Sequence, residues 1–200
     1  MTAFLLIRHG ETDAAGKLLM GWMPGWHLNP HGKQQAEKLA ERLSHLPIRA
    51  VYTSPLERAI ETAMPIAQKH ALSPEPLTEL GELRMGEWEG MSFAELEGRE
   101  DWQRFNVYRS GSPCPGGEFM AETQTRMIRQ LDSLRQRHTR ETVAIVSHAD
   151  PLRAVVAYVL GIPLDLMQRF EIGHASVSVV EMADWGSRVM CLNVAAEGTP

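Results

Sequence analysis

The chain has 200 residues, of which 44% are hydrophobic and 22% charged, and its formal net charge is −5. This composition fits one globular domain with a substantial core and excludes a disordered chain. The acidic balance gives no general attraction to nucleic acid or to an anionic membrane, so we expect neither as a partner. The apolar runs are too short for a membrane span or a secretory signal.

The cysteine content indicates a reducing compartment. Cys114 and Cys191 lie far apart in the sequence and match no metal-ligand or redox spacing. Secreted domains of this kind would instead show a set of paired cysteines. We therefore expect a cytoplasmic protein that has no disulfide framework.

Three short apolar runs, each followed by a helical pattern, predict parallel strands. They cover residues 3–7, 51–53 and 142–146, and continuous apolar or β-branched runs are typical of strands buried on both faces. Apolar residues recur at helical spacing after each strand, and Gly161 is expected to end the last helix. The predicted helices contain Ala36 to Leu46, Leu56 to Ala67 with a possible kink at Pro65, Met127 to Leu134, and Pro151 to Leu160.

Residues 84–125 interrupt this alternation. They are rich in glycine, proline and aromatic residues, with a weak helical pattern at 93–97. We expect them to form a lid inserted in a single domain of residues 1–200.

A hairpin is predicted near the end of the chain. Strand patterns at residues 176–182 and 188–193 flank Asp184-Trp185-Gly186, a sequence that favours a turn. The fold class predicted for the chain is therefore α/β, a three-layer α/β/α sandwich. Its sheet is mostly parallel with an antiparallel edge, and it carries the helical lid.

Basic and histidine side chains follow the three predicted parallel strands. Arg8 and His9 follow the first strand, Arg58 comes one helical turn after the second, and His148 follows the third. Because the carboxyl ends of such strands meet at one edge, we expect these residues to lie together. Guanidinium groups match phosphate oxygens, and a neutral imidazole held by a backbone carbonyl can attack phosphorus. Each residue alone is more often structural, but their joint placement indicates a site for phosphoryl transfer.

The same residues belong to a longer pattern. The run Leu6-Ile7-Arg8-His9-Gly10-Glu11-Thr12 resembles the signature of the histidine phosphatase superfamily, which includes cofactor-dependent phosphoglycerate mutases and small phosphatases. The resemblance continues in order through almost the whole chain. Its further blocks are Gly21-Trp22 with Leu28, Gly32, Gln35 and Ala36, then Ser54-Pro55-Leu56-Glu57-Arg58-Ala59 with Thr62-Ala63, then Leu80-Gly81-Glu82-Leu83 with Gly86-Glu87-Trp88-Glu89-Gly90, and Val146-Ser147-His148.

The resemblance implies a role for each residue at the predicted edge. His9 is the expected nucleophile, Arg8 and Arg58 bind the phosphate, and His148 donates a hydrogen bond to it. Two arginines and a protonated His148 would stabilise the transition state without a metal.

Glu82 is the general acid that the resemblance implies. Glu79, Glu87 and Glu89 are nearby alternatives that spacing alone does not exclude. Burial would raise the pKa of the acid towards neutrality, whereas the neighbouring cations would lower it.

Several positions depart from the pattern expected of mutases. Ala15 and Met20 stand where Asn and Thr are common, Phe119 follows Pro115-Gly116-Gly117-Glu118 where Ser is frequent, and Ala149 replaces the usual Gly. We expect Met20, Gly21 and Ala149 to contact substrate, in a pocket that is more apolar than that of a mutase.

From these departures we rank three possible functions. The first is a phosphatase that hydrolyses a small phosphorylated metabolite through a phosphohistidine on His9, with no cofactor. The second is a phosphoglycerate mutase or related phosphomutase, and the third is a catalytically idle phosphoester-binding module. The sequence has no pattern that indicates an oligomeric state or selects one phosphoester.

Two groups of conspicuous side chains have more than one interpretation. Arg99, Arg104 and Arg109 in the predicted lid either recognise a substrate carboxylate or are solvated. The tryptophans are expected to serve in packing rather than as cofactor platforms; they are Trp22, Trp26, Trp88 and Trp102.

We expect activity to be independent of divalent metal. No carboxylate or Cys/His cluster has ligand spacing, since His27 and His31 are four apart but have no third ligand beside them. Exhaustive dialysis against EDTA should leave the hydrolysis rate unchanged, while a magnesium-dependent phosphatase treated in parallel loses activity. Loss of activity that magnesium or zinc restores would contradict this expectation.

Overall fold

The computed structural model describes residues 1–195, which form a six-stranded sheet with helices on both faces. The strand order is β3-β2-β4-β1-β5-β6, in which β1, β2, β3 and β4 run parallel and β5 and β6 form the antiparallel edge. The predicted fold class is confirmed. The strands are β1 (Thr2–Arg8), β2 (Ile48–Thr53), β3 (Glu75–Pro76), β4 (Thr142–Ser147), β5 (Val177–Ala183) and β6 (Gly186–Val194).

Six α-helices lie within the described residues. None of them is long and apolar enough to cross a membrane. Short 3₁₀ turns occur at Thr78–Leu80, Gly86–Trp88 and Leu164–Arg169. The helices are α1 (Pro30–Leu43), α2 (Glu57–Lys69), α3 (Phe93–Glu97), α4 (Glu100–Val107), α5 (Met120–Arg137) and α6 (Ala149–Leu160).

The sheet separates two apolar cores. Alternate residues of a strand point to opposite faces, so Leu5 and Ile7 of β1 pack with α1 and α2, whereas Phe4 and Leu6 pack with α5 and α6. Both faces of the sheet are therefore covered by helices. This explains why the parallel strands have continuous apolar sequences.

The register of the parallel strands places three loops at one edge. Arg8 at the end of β1 lies opposite Ser147 of β4, and Thr53 at the end of β2 lies opposite Val146. The segments that follow β1, β2 and β4 consequently leave the sheet side by side.

Local signals fix the helices that flank this edge. Asn29 caps α1 by accepting from the Gly32 N–H at 2.7 Å, and Pro30 occupies the first turn, where its missing N–H costs nothing. Gly161 ends α6 with φ at 66°, a left-handed conformation that favours glycine.

The structure differs from the predicted elements in three places. Helix α5 begins at Met120 rather than near Met127, because its buried stripe continues through the polar Thr123, which an apolar count does not register. Helix α4 lies inside the predicted lid, where the sequence indicates a helix only at 93–97. Strand β3 has two residues and gives no sequence pattern.

Residues between Leu83 and α5 form a third apolar cluster. Trp88, Leu96 and Phe105 are fully buried in it, and the cluster contacts Ala154 and Ala157 of α6. The indole ring of Trp88 contacts the aromatic rings of Trp102 and Phe105 edge-on, with 5.2 Å between centroids in each pair. Trp88 therefore serves in packing, as expected.

Candidate active site

The carboxyl ends of β1, β2 and β4 bring the predicted residues together. His9, Arg58 and His148 are all buried, and the ring centroids of the two histidines are 5.1 Å apart. The carboxylate of Glu82 approaches the same place, with its Oε2 3.8 Å from Nδ1 of His148. Four segments that are distant in sequence thus contribute to one site.

His9 is held as a neutral imidazole with one nitrogen available. Its Nδ1 lies 2.7 Å from the Gly10 carbonyl oxygen, an acceptor, so Nδ1 carries the proton and Nε2 keeps its lone pair. Burial, together with the charges of Arg58 and Arg8, lowers the pKa of His9 well below its usual range. This is the tautomer that a nucleophile at Nε2 requires.

The loop that carries His9 is fixed by close backbone contacts. The Gly10 N–H donates to Oγ1 of Thr62 at 2.9 Å, and that hydroxyl donates to the Arg58 carbonyl at 2.7 Å. A Cβ atom at Gly10 would lie 2.7 Å from the Gly32 carbonyl oxygen, so only glycine permits this approach. His9 and Arg58 are therefore positioned by one network.

The two arginines are anchored to protein acceptors through part of their donor sets. Arg8 donates from Nη1 to the Ile172 carbonyl at 2.8 Å and from Nη2 to Nε2 of His174 at 2.9 Å. Arg58 donates from Nη2 to the Gly21 carbonyl at 2.8 Å. Burial and the charge of Arg8 lower the pKa of His174 to about 4, so its neutral ring can accept from Arg8.

Several other donors at the site have no partner. Within residues 1–195, Nε of Arg8, Nε and Nη1 of Arg58, and Nδ1 of His148 are buried without a hydrogen bond. Buried polar groups are normally paired, because desolvation without a bond is costly. Unpartnered cationic donors beside a nucleophile are the arrangement that a phosphoryl group would satisfy.

The protonation of His148 in the free protein follows from its burial. Burial, with Arg58 as the next cause, lowers the pKa of His148 well below its usual range, so the ring is neutral in the free protein. Its Nε2 lies 2.7 Å from Oγ of Ser54, which can donate to it and leave the proton on Nδ1. His148 can therefore offer a neutral N–H donor.

Glu82 has the titration expected of a general acid. Burial raises its pKa to about 7, the charge of Asp150 adds to the rise, and Arg58 opposes it. Glu79 and Glu87 are exposed, and Glu89 accepts from the Met85 N–H at 3.3 Å. Of these four carboxylates, Glu82 is the one that lines the cavity next to His9.

A half-buried guanidinium fixes the loop that carries Glu82. Arg126 donates to the carbonyl oxygens of Glu79, Gly81 and Glu82 at 2.6, 2.9 and 2.8 Å. Its Nε donates to Oε1 of Glu118 at 2.9 Å. The indole of Trp22 adds a donor to the Glu82 carbonyl at 2.7 Å, a role beyond packing.

A cavity of about 280 Å³ opens beside the two arginines and His9. This volume suits a small metabolite rather than a polymer. The lining includes the apolar side chains of Phe93 and Trp102 together with polar ones. Of the positions expected to contact substrate, His148 is not on the lining. Those that are, together with Ala15, are Arg8, Met20, Gly21, Arg58 and Ala149.

Arg109 is the buried member of the three predicted lid arginines. Its side chain is 4% exposed, and Nη1 donates to Oδ2 of Asp150 at 2.7 Å. Arg99 pairs instead with Asp101 and is 40% exposed, and Arg104 is exposed. Arg109 is therefore not solvated, and it lines the cavity while it is paired with Asp150.

The sequence analysis did not identify several polar side chains of the cavity lining. They are Asn106, Asp150, Arg153, Gln168 and His174, and His174 also contacts Arg8. Asp150 had a signal, since it lies two residues after His148 at a strand end. Within the described part of the chain, no three His, Cys, Asp or Glu side chains are grouped to hold a metal ion.

Fold and site together define an α/β protein with two histidines and two arginines grouped at the carboxyl edge of its sheet. A sequence model described as the histidine phosphatase superfamily (branch 1) matches residues 4–195. The chain belongs to this superfamily.

Relatives within the superfamily include named phosphatases and mutases. Phosphoserine phosphatase 1 of Hydrogenobacter thermophilus is 31% identical over 204 residues, covering 97% of this chain and 93% of that protein. "Probable phosphoglycerate mutase GpmB" of Klebsiella pneumoniae is 32% identical over 185 residues, covering 90% and 85%. The solved structure of YhfR from Bacillus stearothermophilus matches with a TM-score of 0.89 at 27% identity, covering 98% of each chain.

For turnover of an alkyl phosphate, we expect the rate to fall as pH rises through about 7, because Glu82 must be protonated to act as an acid. Glu82→Gln should remove this limb and slow alkyl phosphates about a hundredfold or more. Nitrophenyl phosphate should lose less, since nitrophenolate leaves without a proton. The control is Glu79→Gln, at an exposed rival position, and an equal loss in both variants would contradict the assignment.

Proposed function

We propose that this protein is a phosphatase that hydrolyses a small phosphomonoester through a phosphohistidine on His9. The observation that supports it best is the set of buried, unpartnered donors of Arg8, Arg58 and His148 around a neutral imidazole. These groups offer binding to a phosphoryl group, a nucleophile and charge stabilisation in one place. An idle binding module would have no use for the protonated Glu82 beside them.

In the first step, Nε2 of His9 attacks phosphorus and the P–O ester bond breaks. The Gly10 carbonyl oxygen accepts a hydrogen bond from Nδ1–H throughout. This bond fixes the ring and favours the positive charge that develops on it. Arg8 and Arg58 stabilise the charge spread over the phosphoryl oxygens. Glu82 transfers its proton to the departing alkoxide, so the alcohol leaves neutral.

In the second step, Glu82 is a carboxylate and can take a proton from water. The water oxygen bonds to phosphorus as the N–P bond breaks, and inorganic phosphate forms. Neutral His9 and protonated Glu82 are restored together, so one carboxyl group serves as acid and then as base.

Hydrolysis is favoured over mutase chemistry by the charges in the cavity. A mutase must retain an anionic product through its second charged group until the phosphate returns. Here Ala15 and Met20 offer no charge, and Arg109 pairs with Asp150. The dephosphorylated alcohol should therefore dissociate, and water becomes the acceptor. The name of the Hydrogenobacter relative agrees with this ranking.

His9→Ala should reduce hydrolysis roughly a thousandfold or more, because the covalent route is lost. Mixing the wild-type protein with labelled substrate, followed by alkaline quenching and peptide mapping, should place acid-labile phosphate on His9. His45→Ala, at an exposed histidine, is the matched control and should keep full activity. Substantial hydrolysis by His9→Ala would exclude this mechanism.

The mutase alternative is tested with 3-phosphoglycerate. We expect slow release of phosphate and no faster formation of 2-phosphoglycerate, even with 2,3-bisphosphoglycerate present to phosphorylate His9. Phosphorus NMR follows both products in one tube over time. Isomerisation that outpaces hydrolysis would make the protein a mutase and would leave the roles of His9 and Glu82 unchanged.

A further inference from the structure

The segment that precedes β5 contacts the loop of Arg8 and His9 at several points. The Ala175 N–H donates to the carbonyl oxygens of Arg8 and His9, at 3.1 and 3.2 Å. The guanidinium of Arg8 donates to the Ile172 carbonyl at 2.8 Å and to Nε2 of His174 at 2.9 Å. This segment therefore holds both the backbone and the side chain of the residue before the proposed nucleophile.

The conformation of the segment is itself held in place. The Gly173 N–H donates to Oδ1 of Asn193 in β6 at 2.7 Å. Ala175 has φ at 51°, in the left-handed region that is unfavourable for a residue with a side chain. Such conformations persist where the surrounding contacts over-determine them, and they are concentrated at functional sites. The segment thus gives Arg8 a fixed support.

The contact with Arg8 defines the protonation of His174. A guanidinium can only donate, so Nε2 of His174 accepts and the ring proton lies on Nδ1. Burial, followed by the charge of Arg8, lowers the pKa of His174 to about 4, so the ring is neutral near neutral pH. A neutral acceptor binds the buried cation without repelling it.

Two acceptors fix the guanidinium of Arg8 where one would not. Nη1 is bound to the Ile172 carbonyl and Nη2 to His174, and the planar group cannot rotate while both bonds are kept. Nε of Arg8 is buried without a partner, and Arg8 lines the cavity beside His9. With Ile172 alone, the group could turn about a single hydrogen bond, and its remaining donors would lose their fixed placement.

We infer that His174 is a positioning residue for phosphoryl transfer, which fixes the guanidinium of Arg8 and acts through it. The inference rests on the proposed phosphatase function and adds a residue that lies outside the sequence motifs of the site. The ring of His174 also lines the cavity, 5.6 Å between centroids from that of His9. A test must therefore separate the loss of the acceptor from the loss of bulk.

Three single variants make this separation. His174→Leu keeps apolar bulk and removes the acceptor, so kcat/KM for nitrophenyl phosphate should fall about tenfold or more, because a displaced group at the reacting centre costs rate. His174→Gln offers an amide oxygen to Arg8 and should recover kcat/KM to within about threefold of the wild-type value. His45→Leu, at an exposed histidine, is the control and should have wild-type activity.

A double-mutant cycle tests whether His174 acts through Arg8. In an Arg8→Ala background the ring has no guanidinium to position, so adding His174→Leu should change kcat/KM by less than about twofold. In an Arg58→Ala background the same substitution should still cost about tenfold, since Arg8 remains in place. Arg58 is a matched background because it is anchored to the Gly21 carbonyl instead.

The outcomes separate this inference from the proposed function. Equal losses in the two arginine backgrounds, wild-type activity of His174→Leu, or no recovery in His174→Gln would each overturn the role of His174 and leave the phosphatase standing. If His174→Leu does not fold, His174→Asn replaces it, because its polar amide is one bond shorter than that of glutamine. If the wild-type protein neither hydrolyses nitrophenyl phosphate nor forms a phosphohistidine, the proposed function fails and the inference fails with it.

Discussion

The structure depends on keeping two arginines inside the protein with donors that no group within residues 1–195 satisfies. Burying a charge is costly unless it is paired, so the fold must compensate. It does so in part, with the carbonyls of Ile172 and Gly21 and the neutral ring of His174 accepting from Arg8 and Arg58. The remaining donors are rigidly placed before any ligand arrives. Such preorganisation is what makes charged groups effective in stabilising a transition state.

The same burial sets the protonation of both histidines and of Glu82. It disfavours charge, so His9 and His148 are neutral and Glu82 keeps its proton to a pH of about 7. The nearby arginine charges reinforce this for the histidines and oppose it for Glu82, where burial, supported by the negative charge of Asp150, prevails. A neutral nucleophile and a protonated acid therefore coexist near neutral pH, as the proposed first step requires.

The fold and most of the site can be read from the sequence, because both follow from local patterns. Strands buried on both faces read as apolar runs, and their carboxyl ends predict where Arg8, His9, Arg58 and His148 meet. What the sequence cannot supply is contact between distant segments. Arg109 and Asp150 are 41 positions apart, so their pairing has no local signal. The neutrality of His148 depends on burial by several elements, and Glu82 differs from Glu79 in that it lines the cavity whereas Glu79 is exposed.

The central claim is that phosphate passes through a covalent intermediate on His9, and stereochemistry at phosphorus tests it most directly. A phosphorothioate monoester made chiral at phosphorus by sulfur and two oxygen isotopes is hydrolysed in water that carries the third isotope, and the configuration of the released thiophosphate is determined. Two in-line displacements, first by His9 and then by water, each invert the phosphorus, so the account predicts overall retention. Overall inversion would mean that water attacks the ester directly, and it would contradict the account.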